Sequence, residues 1–431
     1  MKKVLVLTYY FPPSTLTASN RIYSWARYLH ECGIYPVIVT RKWDTPLLKA
    51  EDAYKPSENG IVHEINKDFE VYYLPYKPNL RDRLHTRSPG KYLLLRKTLT
   101  FLEITSQFFS NAFLPYRNIY DHARQLLKND KEFSMILTSG NPFILFKFAY
   151  LLHKEFKIKW MADYRDEWTT NDVEEEHSFS SSALQKAYTG MAAHFEKKWV
   201  KTASGITSVT DAFTRRISSF TGVAGKTIYN GFLEEDFPKS SIKKNNEFSI
   251  AYSGSLYYSQ PVEVFLKGYQ RFLENHKGEA IQLIFIGMNF DEPQKNRVLN
   301  YLKKSEQVVF TDRLSRQESI DQQIKSHLLL LVPITEVNGW LSSKVYEYIA
   351  SGTSIMLCPS DNGPLAETLS RLPQAMICRN ENEVETSLEE VYSRFLRNEI
   401  STYEPAKTDI TFSRRKQALE LGKYINALSD E

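Results

Sequence analysis

The sequence predicts an α/β protein with two domains. Residues 4–7 form an unbroken apolar run, of the kind that is buried in parallel sheets. A helical pattern and a second strand over residues 37–40 follow, which together make a β–α–β unit. A second series of strand and helix patterns starts at residue 248, and 431 residues are enough for two such domains.

The first helix is predicted from its cap, its apolar spacing and its end. Ser19 is a suitable N-terminal cap, and Gly33 stands where a left-handed residue ends a helix. Between them, apolar residues recur at helical spacing and predict a core stripe. This stripe consists of Ile22, Trp25, Ala26 and Leu29.

The loop before this helix is a candidate ligand site. Residues 12–21 follow the carboxyl end of the first strand, which is where open parallel sheets bind ligands. Ser14, Asn20 and Arg21 offer polar side chains there. The alternative is a plain polar loop with an arginine on the helix face.

Composition narrows the class of protein and its partners. A net charge of +4 gives no reason to expect nucleic acid. The three cysteines have no metal-ligand spacing, which fits a reducing compartment. The N-terminal residues have the pattern of a strand rather than of a signal peptide, so a cytoplasmic protein is expected. No stretch has 18 apolar residues, so no membrane-spanning helix is expected.

Residues 77–113 combine basic and apolar side chains. Seven lysines and arginines lie within residues 77–97, and an aromatic-rich amphipathic pattern covers residues 92–113. This combination is typical of segments that bind an anionic membrane surface. The alternative is a solvated loop followed by a core helix.

Residues 333–367 carry the clearest candidate site. Ser342 and Ser343 are good N-terminal caps for a helix over residues 344–350, which Gly352 ends. A helix N-terminus and the Lys344 charge suit a diphosphate. Glu347 lies about 4.5 Å further along the helix axis and is able to accept hydrogen bonds from ribose hydroxyls. The alternative is an ordinary surface Lys–Glu pair.

The string SKVYEYIASG at residues 343–352 resembles the donor signature of family 4 retaining glycosyltransferases with the GT-B fold. The resemblance implies two Rossmann-like α/β domains facing across a cleft, and it places the second glutamate of the signature at Glu347. The first glutamate falls on Gly339, which is a departure from the pattern that a lysine-containing subgroup shares.

Further motifs of this family occur in the expected order. YNGFLEEDF resembles its interdomain linker, which implies domains at residues 1–235 and 236–405 and a returning helix at 406–431. Gly254 and Ser255 lie in the first turn of the second domain, and Arg313 lies in a loop that meets the base in relatives. Residues 257–265 lack the Arg and Lys that bind the diphosphate in relatives. Lys344 is therefore expected to contribute more to diphosphate binding.

The run WMADYRDEW resembles a motif at the end of an N-domain strand in a subset of these enzymes. The resemblance implies that Asp163, Arg165 and Asp166 face the cleft on the acceptor side. Ser14, Asn20 and Arg21, in and just after the loop that follows the first strand, are expected on the same side. Family members usually carry a Gly-Gly pair in that loop, which this chain lacks. The alternative is a structural Arg–Asp pair that holds the strand end.

The resemblance implies a glycosyltransferase that moves a sugar from a UDP- or GDP-sugar to a glycan or lipid-linked acceptor, as in bacterial surface polysaccharide biosynthesis. No cofactor or metal is implied. The expected catalytic residues are Lys344, Arg165 and Asp166. Two other readings stay open, namely a sugar-nucleotide epimerase of the same fold and an inactive sugar-nucleotide or partner-binding protein.

Overall fold

The computed structural model describes residues 1–14, 17–44, 53–87, 91–112, 114–170, 182–302, 307–334, 339–405 and 409–430. The chain forms two compact units. The first contains Met1–Tyr229 and Gln417–Glu431, and the second contains Asn230–Lys416. The division after Tyr229 lies six residues before the limit expected from the linker motif, and the C-terminal segment belongs to the first unit from Gln417 onward.

The first unit has an eight-stranded sheet in the order β3-β4-β2-β1-β5-β6-β7-β8, which is parallel except for the pairing of β3 with β4. Its strands are β1 (Lys2–Leu7), β2 (Ile34–Arg41), β3 (Val62–Ile65), β4 (Glu70–Leu74), β5 (Phe133–Gly140), β6 (Lys159–Tyr164), β7 (Gly205–Ser208) and β8 (Gly225–Thr227). Its helices are α1 (Thr17–Tyr28), α2 (Leu80–Arg87), α3 (Leu93–Ser106), α4 (Arg117–Asn129), α5 (Ile144–Phe156), α6 (Ser182–Val200) and α7 (Asp211–Thr221).

The core of the first unit contains the predicted stripe of α1. All four apolar side chains of this stripe are buried against β1, β2 and β5. Ala418, Leu421 and Ile425 of the C-terminal helix α14 (Arg414–Asp430) complete the same cluster. Gly33 has φ of +73°, the left-handed conformation predicted at the end of this segment.

The second unit has a six-stranded parallel sheet in the order β12-β11-β10-β13-β14-β15. Its strands are β9 (Ile242–Lys243), β10 (Phe248–Ser253), β11 (Ile281–Ile286), β12 (Val308–Phe310), β13 (Leu328–Leu331), β14 (Ser354–Leu357), β15 (Ala375–Ile377) and β16 (Thr402–Tyr403), and β9 and β16 form a separate two-stranded sheet. Its helices are α8 (Glu263–Asn275), α9 (Glu292–Leu299), α10 (Arg316–Lys325), α11 (Lys344–Ala350), α12 (Pro364–Leu369) and α13 (Glu381–Leu396).

The strands predicted from apolar runs are confirmed in both units. The predicted run at residues 4–7 corresponds to β1, and the series predicted to start at residue 248 begins with β10. A further apolar run at residues 328–332 corresponds to β13. The middle of each of these strands is buried, as expected for parallel strands covered on both faces. Residues 171–181 lie outside the described residues, and Ser182 begins α6.

The segment at residues 77–113 does not contain a core helix. The described part of this segment includes α2 and α3, and α3 has no buried residue. Leu94 is 82% exposed and Phe109 is 73% exposed. The alternative reading of a core helix is therefore wrong for α3, because none of its side chains is buried. Its exposed leucines are Leu93, Leu94, Leu95 and Leu102. Residues 88–90 and 113 lie outside the described residues.

Candidate functional site

Lys344 lies against the turn after β10. Its Nζ donates hydrogen bonds to the Tyr252 hydroxyl at 2.7 Å and to the Ser255 carbonyl at 3.2 Å. Two of the predicted donor-binding segments, which are about 90 positions apart in sequence, therefore meet at one place. The meeting point is the carboxyl edge of the six-stranded sheet, where open α/β sheets bind ligands.

Gly254 makes this close approach possible. It has φ of +86°, and a Cβ placed on it would lie 3.2 Å from Lys344 Cε. A side chain here would strain the backbone and push against the lysine. Tyr348 fixes the same turn from α11, because its hydroxyl accepts the Ser253 N–H at 3.0 Å.

The surroundings of Lys344 favour its neutral form in the unliganded protein. Burial lowers the pKa of Lys344 to about 7, and the nearby Glu347 charge opposes this shift. The ammonium also lies 4.0 Å from the centroid of the Tyr252 ring, a cation–π distance. An anion that reached Nζ would favour the charged form and would gain a strong partner.

Glu347 is fixed by an arginine that the sequence analysis missed. Arg316 Nη1 lies 3.0 Å from Glu347 Oε1, and Arg316 Nε donates to Asp236 Oδ2 at 2.5 Å. Burial lowers the pKa of Arg316, but the charges of Glu347 and Asp236 more than offset it and leave the pKa raised. The Glu347 side chain keeps 24% exposure, and a carboxylate has room for further donors.

The serines before α11 differ from the predicted caps. Ser343 occupies the cap position with helical φ and ψ of −61° and −22°, and its side chain accepts no capping hydrogen bond. Capping requires an extended backbone, so the prediction for Ser343 is wrong in this respect. Ser342 is buried, and its Oγ accepts the Lys344 N–H at 3.4 Å. Ser343 is exposed.

Arg313 lies beyond the carboxyl end of β12, two strands from β10. It is exposed, and its guanidinium stacks over the Phe290 ring at 4.7 Å from the centroid. Stacking on an aromatic side chain holds Arg313 at the surface of this sheet edge.

Asp163 and Arg21 of the first unit are buried and pair with each other. Arg21 Nη2 donates to Asp163 Oδ1 at 2.8 Å, and Arg21 Nη1 donates to the Ile228 carbonyl at 2.7 Å. Ser139 and Thr207 donate their hydroxyls to the same carboxylate, each at 2.8 Å. With exposures of 0% and 2%, these two side chains do not face an open surface, contrary to the expectation for them. They tie β6 to α1, β5 and β7.

Arg165 and Asp166 remain at the surface after β6. Asp166 is 57% exposed, and its Oδ2 accepts two hydrogen bonds from Arg165, at 2.6 and 2.9 Å. The next residue, Glu167, is buried and receives a two-pronged hydrogen bond from Arg216 at 2.6 and 2.8 Å. Glu167 therefore anchors the loop that presents Arg165 and Asp166.

The loop after β1 holds the remaining predicted residues. Ser14 is buried, and its Oγ has no hydrogen-bond partner among the described residues. Asn20 is half-buried on α1. Tyr10 of the same loop is close enough to Arg165 for its charge to act on it, although burial dominates and raises the pKa of Tyr10.

Two further properties concern metals and membranes. Within the described ranges, no three His, Cys, Asp or Glu side chains form a group able to hold a metal ion. None of the helices in the described part of the chain is both long and apolar enough to span a bilayer.

Comparison with known proteins identifies relatives in structure only. No family model matches the chain, and no curated protein matches it in sequence. Among solved structures, a sucrose-phosphate synthase from Thermosynechococcus elongatus is similar, with 13% identity, a TM-score of 0.56 and coverage of 100% of this chain and 96% of that one.

Two more glycosyltransferases share the architecture. One is a glycosyltransferase from Rickettsia africae, with 12% identity, a TM-score of 0.58 and 98% coverage of both chains. The other is a UDP-forming trehalose-phosphate synthase from Burkholderia vietnamiensis, with 11% identity, a TM-score of 0.53 and coverage of 100% of this chain and 97% of that one. At this level of identity the likeness establishes the fold alone, and the chain has the GT-B fold of these glycosyltransferases.

Proposed function

We propose that this protein is a glycosyltransferase that moves a sugar from a nucleotide-sugar to an acceptor. The observation that carries the proposal is the convergence of Lys344 with the Gly254 turn, one helical turn from Glu347. The GT-B fold and the resemblance of residues 343–352 to a donor signature support the same conclusion.

In this proposal the diphosphate of the donor binds at Lys344. Its ammonium stabilises the negative charge that develops on the diphosphate as the bond to the sugar breaks, which is electrostatic catalysis. Glu347, oriented by Arg316, accepts hydrogen bonds from the ribose hydroxyls. The resemblance implies transfer with retention of configuration and without an obligatory metal.

The acceptor binds near Arg165 and Asp166 in this proposal. Both side chains are at the surface after β6, and the Glu167–Arg216 pair fixes their loop. Asp163 and Arg21 act indirectly, because their buried pair holds the strand end in place. Ser14 and Asn20 belong to the neighbouring loop.

A binding screen followed by a transfer assay tests the function. UDP-, GDP-, dTDP- and CMP-sugars are compared by thermal shift, because a ligand that binds the folded state raises the melting temperature. UDP-sugars are the first to be tested, since one structural neighbour is UDP-forming. We expect stabilisation by one class of donor and a smaller shift for Lys344→Ala. Equal shifts in both proteins, or none with any donor, would reject the proposed donor site.

The alternatives are separated by the fate of a labelled sugar. A transferase moves the label to an added acceptor or, slowly, to water. An epimerase changes the sugar while it stays on the nucleotide, and a binding protein leaves it unchanged. The departures from the donor signature at Gly339 and residues 257–265 make this distinction necessary.

A membrane-associated acceptor fits the surface of the first unit. Exposed leucines and aromatic residues lie beside exposed basic residues in the segment that contains α2 and α3. We infer that this surface binds the cytoplasmic face of an anionic membrane and gives access to a lipid-linked acceptor of surface polysaccharide biosynthesis. A glycan in solution is the alternative acceptor.

A further inference from the structure

A polar cavity lies in the second unit, at the edge of the sheet opposite Lys344. Its volume is about 410 Å³. His327 and Ser354 line it where β13 and β14 begin, whereas the turn that contacts Lys344 follows the carboxyl end of β10. Because all six strands are parallel, the cavity is at the amino edge and separate from the proposed donor site.

His327 supplies a hydrogen-bond donor that the described residues leave unused. The Ser249 N–H donates to His327 Nδ1 at 3.2 Å, so Nδ1 is an acceptor and the proton of the neutral ring lies on Nε2. His327 is 1% exposed, and Nε2 has no hydrogen-bond partner among the described residues. An unused buried donor is costly, and a ligand in the cavity would satisfy it.

The protonation of His327 is consistent with this assignment. Burial, together with the Lys244 charge, lowers the pKa of His327 to about 4. The ring is therefore neutral at pH 7 and carries one N–H. Phe248 and Phe395 pack against the imidazole at centroid distances of 5.7 and 4.7 Å and hold it in one orientation.

Lys244 provides a buried amino group beside His327. It is 8% exposed, and its Nζ donates to the Ser326 carbonyl at 2.7 Å and to Thr353 Oγ1 at 2.8 Å. An ammonium has three protons, so one is left for another acceptor. Among the described residues no carboxylate pairs with Lys244, and burial lowers the pKa of Lys244 to about 7. An anion beside Nζ would favour the ammonium, because buried charges are normally paired.

The outer part of the cavity has mixed charge. Arg394 Nε lies 3.7 Å from Glu399 Oε2, and Glu399 also accepts a hydrogen bond from Arg397 at 2.6 Å. Glu404 and Thr402 line the same part. The Lys244 amino group, which has no carboxylate partner among the described residues, and the Nε2–H of His327 are thus at the inner end of the cavity. Groups that bind hydroxyls are at the rim.

We propose that this cavity binds a small metabolite through an oxyanion group, with the oxyanion at His327 Nε2 and Lys244 and the polar remainder at the rim. A carboxylate and a phosphate share the required chemistry, because both present charged acceptors to N–H donors. The site is independent of the sugar-nucleotide donor.

Two substitutions of His327 provide a matched test. In His327→Asn the side-chain oxygen replaces Nδ1 as the acceptor for Ser249, but nothing replaces Nε2. In His327→Gln the longer amide places a donor near the position of Nε2. We expect His327→Gln to keep binding and His327→Asn to weaken it about tenfold, the loss expected for one hydrogen bond to a charged group.

The probes are inorganic phosphate and acetate, with chloride at equal ionic strength as the control. Each is titrated against the full-length protein while the melting temperature is followed. Lys344→Ala is included as a control. If phosphate stabilises the protein by binding at the proposed donor site, the stabilisation should be lost in this variant. If phosphate alone stabilises the protein, the site prefers a phosphate group, and if acetate alone does so, it prefers a carboxylate.

The proposal is supported if stabilisation persists in Lys344→Ala and His327→Gln but is reduced in His327→Asn. It is overturned if neither probe stabilises the wild-type protein more than chloride, or if His327→Asn responds as the wild type does. Should His327→Asn fail to fold, Lys244→Met serves in its place, since it removes the ammonium with little change in volume.

Discussion

At the residue scale, the proposed donor site predicts a pH dependence of donor binding that comes from Lys344. Burial lowers the pKa of Lys344 to about 7, below its ordinary value of 10.5. Between these values the unfolded chain binds more protons than the unliganded folded protein, so the contribution of Lys344 to stability rises with pH. A diphosphate bound at Lys344, as proposed, would reverse this preference because it favours the ammonium.

Nucleotide binding should therefore take up a proton above pH 7. We expect the affinity for UDP or GDP, whichever binds in the screen, to fall as the pH rises from 7 to 9. Calorimetry at pH 8 in two buffers with different ionisation enthalpies measures the uptake directly. In the control Lys344→Arg the side chain stays charged, and the uptake should disappear. Equal binding enthalpies for the wild type in both buffers would contradict this prediction.

Glu347 and Arg316 should affect donor binding without affecting folding. Glu347→Gln removes the charge that ribose hydroxyls would contact, and we expect donor affinity to fall about tenfold to a hundredfold. Arg316→Gln leaves the Glu347 carboxylate in place but removes the arginine that orients it. We therefore expect a smaller rise in KM for the donor, with little change in kcat. Glu347 is partly exposed, so its variant should melt near the wild-type temperature. Unchanged donor affinity in Glu347→Gln would remove Glu347 from the site.

The chemistry of single residues was predictable only in part. The family resemblance implied one donor site for Lys344 and the Gly254 turn, and the structure brings them together at the carboxyl edge of a parallel sheet. The sequence did not show that Asp163 is buried, since its partner Arg21 is 142 positions away. Arg316 was missed for a similar reason, because its two acid partners, Asp236 and Glu347, come from different loops and helices.

At the scale of elements, the end of β6 carries two aspartates with different roles, the buried Asp163 and the exposed Asp166. Asp163→Asn leaves the buried Arg21 without its counter-charge, and breaking such a pair costs about 3 kcal/mol of unfolding free energy. Asp166→Asn changes a residue that is 57% exposed and should cost less than about 0.5 kcal/mol.

Urea unfolding of the two variants measures this difference. In the transfer assay, we expect Asp166→Asn to lower turnover while donor affinity stays the same. Equal destabilisation by the two changes would contradict the structural role of Asp163. Loss of donor binding in Asp166→Asn would move Asp166 from the acceptor side to the donor side.

Strands were easier to predict than the surroundings of helices. An apolar run such as residues 328–332 has to be buried on both faces, so its place in a parallel sheet follows from composition. The apolar face of α3 is equally visible in the sequence, but periodicity does not reveal whether protein or another medium covers it. Only the structure shows that α3 has no buried residue.

At the scale of the whole molecule, the surface that contains α3 has the composition of a membrane-binding face. Five basic residues of this segment are exposed, namely Lys77, Arg83, Arg87, Lys91 and Lys97. Arg81 is engaged by Asp82 and Glu103 and contributes less. Each exposed charge near an anionic leaflet contributes on the order of 1 kcal/mol, which salt reduces.

We therefore expect the protein to sediment with vesicles that contain anionic lipid, and to do so less at high salt. Leu94→Glu places a charge where an apolar side chain would enter the interface, so its recovery with vesicles should fall several-fold. Leu396→Glu is the matched control, because Leu396 is an exposed leucine of the second unit, at the end of α13. Equal recovery with neutral and anionic vesicles, or equal loss in the two variants, would favour an acceptor in solution over a lipid-linked one.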